Sequence, residues 1–210
     1  MRLSGPVVSI CAVVAVALTV RAAPLSEAEQ AEYVDAYIAR QNGTETFTAD
    51  VKQTLQLRGL KRPTESLGRI YYRAPDALAL VFTQPANEFL ILNGPKAWVK
   101  KSRQAVRHQT RPPQGGATLL LSLFQSNAVD YRRLFDIGME RTNEHLRVTL
   151  TPKTPDRQMR LRSIENLVTL PALEVQTIHI RFEGDNQMQF EFLNPERNTP
   201  IDPAIFEVRP

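Results

Sequence analysis

From Phe47 onward the chain alternates. Phe47, Ala49, Val51, Leu55 and Leu57 are apolar, and Thr48, Asp50, Lys52 and Gln56 stand between them. A period of two places every apolar side chain on one face of an extended strand. The stretch therefore predicts a long strand with one face buried. Shorter stretches of the same kind follow at 67–72, 77–83, 88–92, 97–101 and 104–108, and again at 134–141, 145–151, 175–182 and 187–193. The stretch 161–170 carries mixed periodicity and is read as mostly extended. Turn signals separate the strands: Ala74-Pro75-Asp76, Gln84-Pro85-Ala86-Asn87, Asn93-Gly94-Pro95 and the "EGDN" of 183–186. Connections this short join antiparallel neighbours, because a parallel pair needs a long crossover. The expectation is one antiparallel sheet, strongly curved or barrel-like, with helices on one face.

Two helices are expected. In the first, Ser26 and Glu29 have capping-box spacing, Tyr33, Val34, Tyr37 and Ile38 recur at helical spacing, and Asn42-Gly43 ends the run. The second covers 117–125, behind the Pro- and Gly-rich stretch 112–116. Leu119, Leu120, Leu121, Leu123 and Phe124 spread over an arc of about 200°, wider than the roughly 100° stripe of a surface helix. Two readings fit: a well-buried core helix, or a lid hinged at 112–116 over an apolar cavity.

The first residues bear on compartment. Arg2 precedes a 15-residue apolar run at 6–20 that ends in "LTVRAAPL". This is the layout of a secretory signal peptide, with cleavage expected after Ala22. The run is short of the roughly 20 residues that span a bilayer. It contains Cys11, the one cysteine, so the mature chain of 23–210 is expected to be a single exported domain without a thiol. Loss of Arg2 and Arg21 leaves 24 basic against 22 acidic residues, a charge of +2. That balance gives no reason to expect a nucleic-acid partner.

No motif carries chemistry. His108, His145 and His179 are far apart in sequence and form no metal-ligand pattern, and no nucleophile elbow, P-loop or dinucleotide fingerprint is present. Neither a catalytic residue, a metal nor a cofactor is expected. One cluster is unusual: Lys96, Lys100, Lys101, Arg103, Arg107 and Arg111 occur without an intervening acid. They make either a solvated edge that discourages strand pairing or a docking surface for an acidic partner or anionic headgroups. Arg103 and Arg107 are the docking candidates.

"GRIYYRAPDALALVFTQP" followed by "EFLILNGPKAWV" resembles the outer-membrane lipoprotein carrier family, the LolA-like periplasmic chaperones. The matching positions are Gly68, Arg73, Pro75, Thr83-Gln84-Pro85, Phe89 to Leu92, Asn93-Gly94 and Trp98. Thr149 to Lys153, Gly184-Asp185, Asn198, Ile201 and Phe206 continue the likeness, which covers about 26–208. Two positions depart from the pattern. The residue before the turn proline, often basic in the family's carriers, is Ala74, with Arg73 one earlier. The family aromatic of the next strand aligns with Leu80.

The resemblance implies a mainly β (α+β) fold, an incomplete, strongly curved antiparallel β-barrel with helices covering its concave opening. It implies a non-enzymatic carrier in the periplasm, a monomer that shields the acyl chains of a lipidated protein or other lipid. An inner-membrane donor and an outer-membrane acceptor follow from the same likeness. Leu78, Leu80 and Phe82 share one strand face and Leu90 and Leu92 share another; these are the expected cavity lining, with Leu119, Leu120, Leu123 and Phe124 as the lid. The opposite face, with Ala79, Val81, Phe89 and Ile91, is also apolar. Two other readings remain: an interaction module with a filled core, and a lipid hydrolase.

Overall fold

The computed structural model describes residues 23–101, 104–109, 132–154 and 160–207. The expected signal peptide, Arg103 and the expected lid residues Leu119, Leu120, Leu123 and Phe124 lie outside the described residues.

Helix α1 (Glu27–Asn42) begins where the capping box places it. The Ser26 hydroxyl accepts the Glu29 backbone N–H, and the Glu29 carboxylate accepts the Ser26 backbone N–H at 2.9 Å. These bonds with Ser26 hold the Glu29 carboxyl below its usual range. At the other end the Gly43 N–H donates to the Ala39 carbonyl at 3.1 Å, and the Thr44 hydroxyl to the Arg40 carbonyl at 2.9 Å.

The remaining described residues form strand after strand. Counting the two-residue β1 (Ala23–Pro24), they are β2 (Thr46–Gln56), β3 (Thr64–Arg73), β4 (Ala77–Gln84), β5 (Glu88–Asn93), β6 (Lys96–Lys100), β7 (Arg107–Gln109), β8 (Phe135–Arg141), β9 (His145–Pro152), β10 (Leu161–Thr169), β11 (Glu174–Phe182) and β12 (Gln187–Arg197). All pair antiparallel in one sheet, in the order β1-β8-β9-β10-β11-β12-β2-β3-β4-β5-β6-β7. The order ends at β1 and β7 and does not close. The sheet is an open, curved half-barrel, as expected. The ambiguous stretch 161–170 is extended, as β10.

The alternation read from β2 holds in three dimensions. Phe47, Ala49 and Val51 are buried on the inner face, and Lys52 and Asp50 lie outward, paired with Glu65 and Arg69. Two positions depart from it: Thr48 is buried although it stands between the inward residues, and Leu57 falls beyond the end of β2 and is exposed.

Gly68 explains how β3 and β4 fit together. A Cβ there would lie 2.3 Å from the Val81 carbonyl oxygen and 2.8 Å from Phe82 Cα. The register between the two strands shifts at this point, and only a residue without a side chain permits so close an approach.

The outer face of β4 to β6 is covered by the end of the chain. A short 3₁₀ turn, Pro203–Phe206, buries Phe206 completely against Ala77, Ala79 and Ile91, with Tyr71, Val81, Phe89 and Trp98 around them. Asn198 holds the returning chain, accepting the Glu45 N–H at 2.8 Å and donating to the Gly43 carbonyl at 3.0 Å.

One polar cluster fixes α1 to the sheet. Arg197 of β12 makes two bonds of 3.1 Å to the Glu174 carboxylate of β11, and donates to the Thr44 hydroxyl at 2.6 Å. Arg40 of α1 pairs with the same carboxylate. The Arg197 guanidinium also lies 5.0 Å from the Phe47 ring centre. The side chains of Arg197 and Glu174 are only 14% and 20% exposed, so this bidentate pair sits where water screens it weakly. The other end of the helix is tied differently: β1, just before it, pairs with β8, the Leu25 N–H donates to the Met139 carbonyl, and Asp35 makes an exposed pair with Arg132 at 3.6 Å.

Three outcomes are expected in urea unfolding. Gly68→Ala lowers stability by about 1–3 kcal/mol, the range for forced overpacking. Glu174→Ala lowers stability by about 2 kcal/mol, less than the roughly 3–5 kcal/mol of a fully buried pair because both groups keep some water. Glu140→Ala, which breaks an exposed pair with Arg147, changes it by less than about 0.5 kcal/mol.

Candidate functional site

Helix α1 presents Tyr33, Val34, Tyr37 and Ile38 to the inner face of the sheet, where they enclose an apolar hollow. Its walls are Ile137 and Met139 of β8, Leu146, Val148 and Leu150 of β9, Val168 of β10, and Leu173. The hollow measures about 50 Å³. That is smaller than the ~150 Å³ needed to hold a benzene molecule.

One polar group faces this apolar space. Asn166 of β10 is 7% exposed and lines the hollow, and among the described residues its Oδ1 has no hydrogen-bond partner. An unpaired buried acceptor costs about 1–3 kcal/mol, so a bonding partner at this point is strongly favoured. A second, smaller hollow of about 20 Å³ shares Tyr37 with the first. It runs beside Gln41, Phe47, Val175, Ile178 and Phe192 to Arg197.

Toward the other end of the helix the space widens. A hollow of about 320 Å³ shares Val34 and Ile137 with the apolar one, and is bordered by Glu27, Gln30, Arg132, Phe135, Asp136 and Lys153. It has the form of a mouth with charged rims and an apolar throat.

The residues expected to line the cavity occupy a different part of the same surface. Leu78, Leu80 and Leu92 are buried in the main inner-face cluster, and Phe82 and Leu90 pack against it half-buried. The alternative set lies on the opposite face: Ala79, Val81, Phe89 and Ile91 meet Phe206. The main cluster reaches the hollow through Leu150, Ile137 and Val148, so the inner face is one continuous apolar surface. Tyr72 belongs to it, and burial pushes its phenol above the ordinary range, with the charge of Asp76 acting in the same direction. Sequence reasoning identified the helix face of the hollow but not its walls on β8 to β10. The available signal was their alternation, Ile137 with Met139 and Leu146 with Val148 and Leu150.

Arg73, one residue before Ala74, faces outward: its guanidinium lies 4.7 Å from the Phe206 ring centre, on the outer face. Arg107, the described docking candidate, is on the edge strand β7 and is exposed. His108 packs beside Trp98, with ring centres 5.5 Å apart. Among the described residues no group of His, Cys, Asp and Glu is placed to hold a metal ion, and no helix is long and apolar enough to cross a membrane.

Direct comparison with curated protein sequences gave no match. Solved structures share the fold at low identity. The structure of MucB superposes with a TM-score of 0.54 at 10% identity, over 88% of this chain and 64% of that one. An uncharacterised conserved protein from Thermus thermophilus superposes with a TM-score of 0.51 at 11% identity, over 86% of this chain and 94% of that one. A sequence model described as "Outer membrane lipoprotein carrier protein LolA" matches residues 42–209. With most of its length matched, and with the half-barrel that the residues led us to expect, the chain belongs to the LolA family.

Proposed function

We propose that the protein is a periplasmic, non-enzymatic carrier that holds the acyl chains of a lipoprotein or other lipid against its apolar inner face and delivers them toward the outer membrane. The observation that carries this reading is the apolar hollow under α1, continuous with the inner face and opening into a charged mouth. Each buried methylene contributes about 0.8 kcal/mol, so a long chain remains in water only where a large apolar surface takes it up.

At about 50 Å³ the hollow is too small for an acyl chain as it stands. Loading requires α1 to lift. The buried polar cluster of Arg40, Thr44, Glu174 and Arg197 supports a pivot at the C-terminal end, and lifting the other end would have to release the β1–β8 pairing. Within this reading, Leu78, Leu80, Phe82, Leu90 and Leu92 are the far wall met by a chain once the space is open. Leu119, Leu120, Leu123 and Phe124 serve as a second cover. Arg103 and Arg107 dock the carrier to its inner-membrane donor or outer-membrane acceptor.

The first test is binding of a fluorescent acyl probe, together with native mass spectrometry of the purified mature chain. Co-purifying lipid and a saturable probe signal are expected. Ile38→Glu and Leu120→Glu should each weaken probe binding at least tenfold, with a smaller effect on thermal stability. Absence of lipid and probe binding would support an interaction module with a filled core, and turnover of a bound lipid ester would support a hydrolase.

A second test addresses Asn166. Asn166→Leu should raise stability by about 1 kcal/mol by removing the unpaired acceptor. It should also lower affinity several-fold for amphiphiles whose polar group reaches the hollow, while a plain hydrocarbon binds as before. Amphiphile affinity unchanged from the parent would limit Asn166 to a structural role.

A further inference from the structure

The turn between β2 and β3 reads "LRGLKRP" at 57–63 and belongs to no part of the core. Leu57 is 38% exposed and Leu60 50% exposed. Leu67, on the outer face of β3 close to the same turn, is 40% exposed. Arg58, Lys61 and Arg62 alternate with the leucines, and among the described residues none of the three makes an ion pair.

The turn is held in this shape. The Leu60 N–H donates to the Leu57 carbonyl at 3.1 Å, and the Gln56 amide donates to the Leu60 carbonyl at 3.1 Å. The Arg58 N–H donates to Asn186 Oδ1 at 2.8 Å, which ties the tip to the turn between β11 and β12. Gly59 takes φ +87°, a conformation that side-chain-bearing residues rarely adopt. The leucines are therefore fixed in water rather than folded back on the sheet. The acids nearby are Glu65 on β3 and Glu183 and Asp185 on the neighbouring turn; Glu65 is paired with Lys52 at 3.0 Å and Glu183 with Arg160 at 2.9 Å. Cations are in excess at this end.

We infer that the 57–63 tip is a contact for an anionic phospholipid bilayer. Leu57 and Leu60 enter the boundary between headgroups and acyl chains, and Arg58, Lys61 and Arg62 meet the phosphates. A projecting tip that interleaves apolar and cationic side chains matches the polarity gradient of such an interface. Near an anionic surface each basic residue contributes roughly fivefold in partitioning.

The register adds a direction. Leu55 pairs with Thr64 and Met188, Leu161 with Phe182, and Phe135 with Pro152. The tip, the β11–β12 turn and the Phe135 and Lys153 rim of the mouth thus lie at one end of the strands. If the chain is the carrier proposed above, a bilayer bound at the tip faces the mouth; the contact itself does not rest on that reading.

The test is flotation of the mature chain, purified from the periplasm, with vesicles of phosphatidylcholine alone or with one third phosphatidylglycerol. Binding to the anionic vesicles is expected, falling as salt is raised. Leu57→Ser with Leu60→Ser should weaken it about tenfold, and Lys61→Glu with Arg62→Glu at least as much. Both variants should keep the melting temperature and acyl-probe affinity of the parent. Failure of the parent to float, or flotation of both variants like the parent, overturns the inference, as does capture of an acidic protein through this tip without any vesicle binding. Probe affinity is read separately, so loss of the carrier reading leaves a probe-silent protein that still floats.

Discussion

An open sheet with an apolar inner face is unstable in water until something covers it. This requirement organises the molecule. A closed barrel would hide the face by joining its edges, but here the order of strands ends at β1 and β7. Cover must come from elsewhere. Helix α1 supplies it over β8 to β10, and the residual space beneath is the hollow. The polar cluster of Arg40, Thr44, Glu174 and Arg197 matters because it fixes one end of this cover. Apolar contact alone has no preferred direction, whereas a bidentate guanidinium–carboxylate pair fixes position and angle.

The two faces of β4 and β5 illustrate how such a sheet is specified. Both are apolar, so alternation alone does not say which face is inner. The C-terminal turn decides it by burying Phe206 against Ala77, Ala79 and Ile91. Leu78, Leu80 and Leu92 are thereby assigned to the main cluster. The same geometry sends Arg73 outward to Phe206. A residue that sequence order places one step from the turn proline is thus separated from the inner face by the thickness of the sheet.

Much of the fold was legible in the sequence because it rests on local rules. The alternation of Phe47, Ala49 and Val51, the Ser26–Glu29 cap and the turns at Pro75 and Pro85 depend on neighbours within a few residues. The hollow depends on packing α1 against strands that lie about a hundred residues or more further along the chain, and no local pattern brings Tyr37 to Val148 or Asn166. Asn166 was invisible for another reason: an asparagine in a strand gives no sign that its partner is missing. Leu57 was assigned inward because the period continued through it, but the strand ends first. The docking candidate Arg107 sits at an exposed edge, as its composition suggested, while its role belongs to the proposed function.

The ends of α1 bear on how a carrier of this kind can work. Ser26 and Glu29 satisfy one end of the helix, and Gly43 and Thr44 satisfy carbonyls at the other, all from within its own segment. Few of its backbone hydrogen bonds depend on the sheet. In the proposed opening the helix therefore swings on its fixed end as a finished rod, without melting and reforming. The barrier is then the release of the β1–β8 pairing and the wetting of one apolar stripe, and a lipid chain that wets the stripe in place of water lowers it. Cargo would lower the threshold for its own admission.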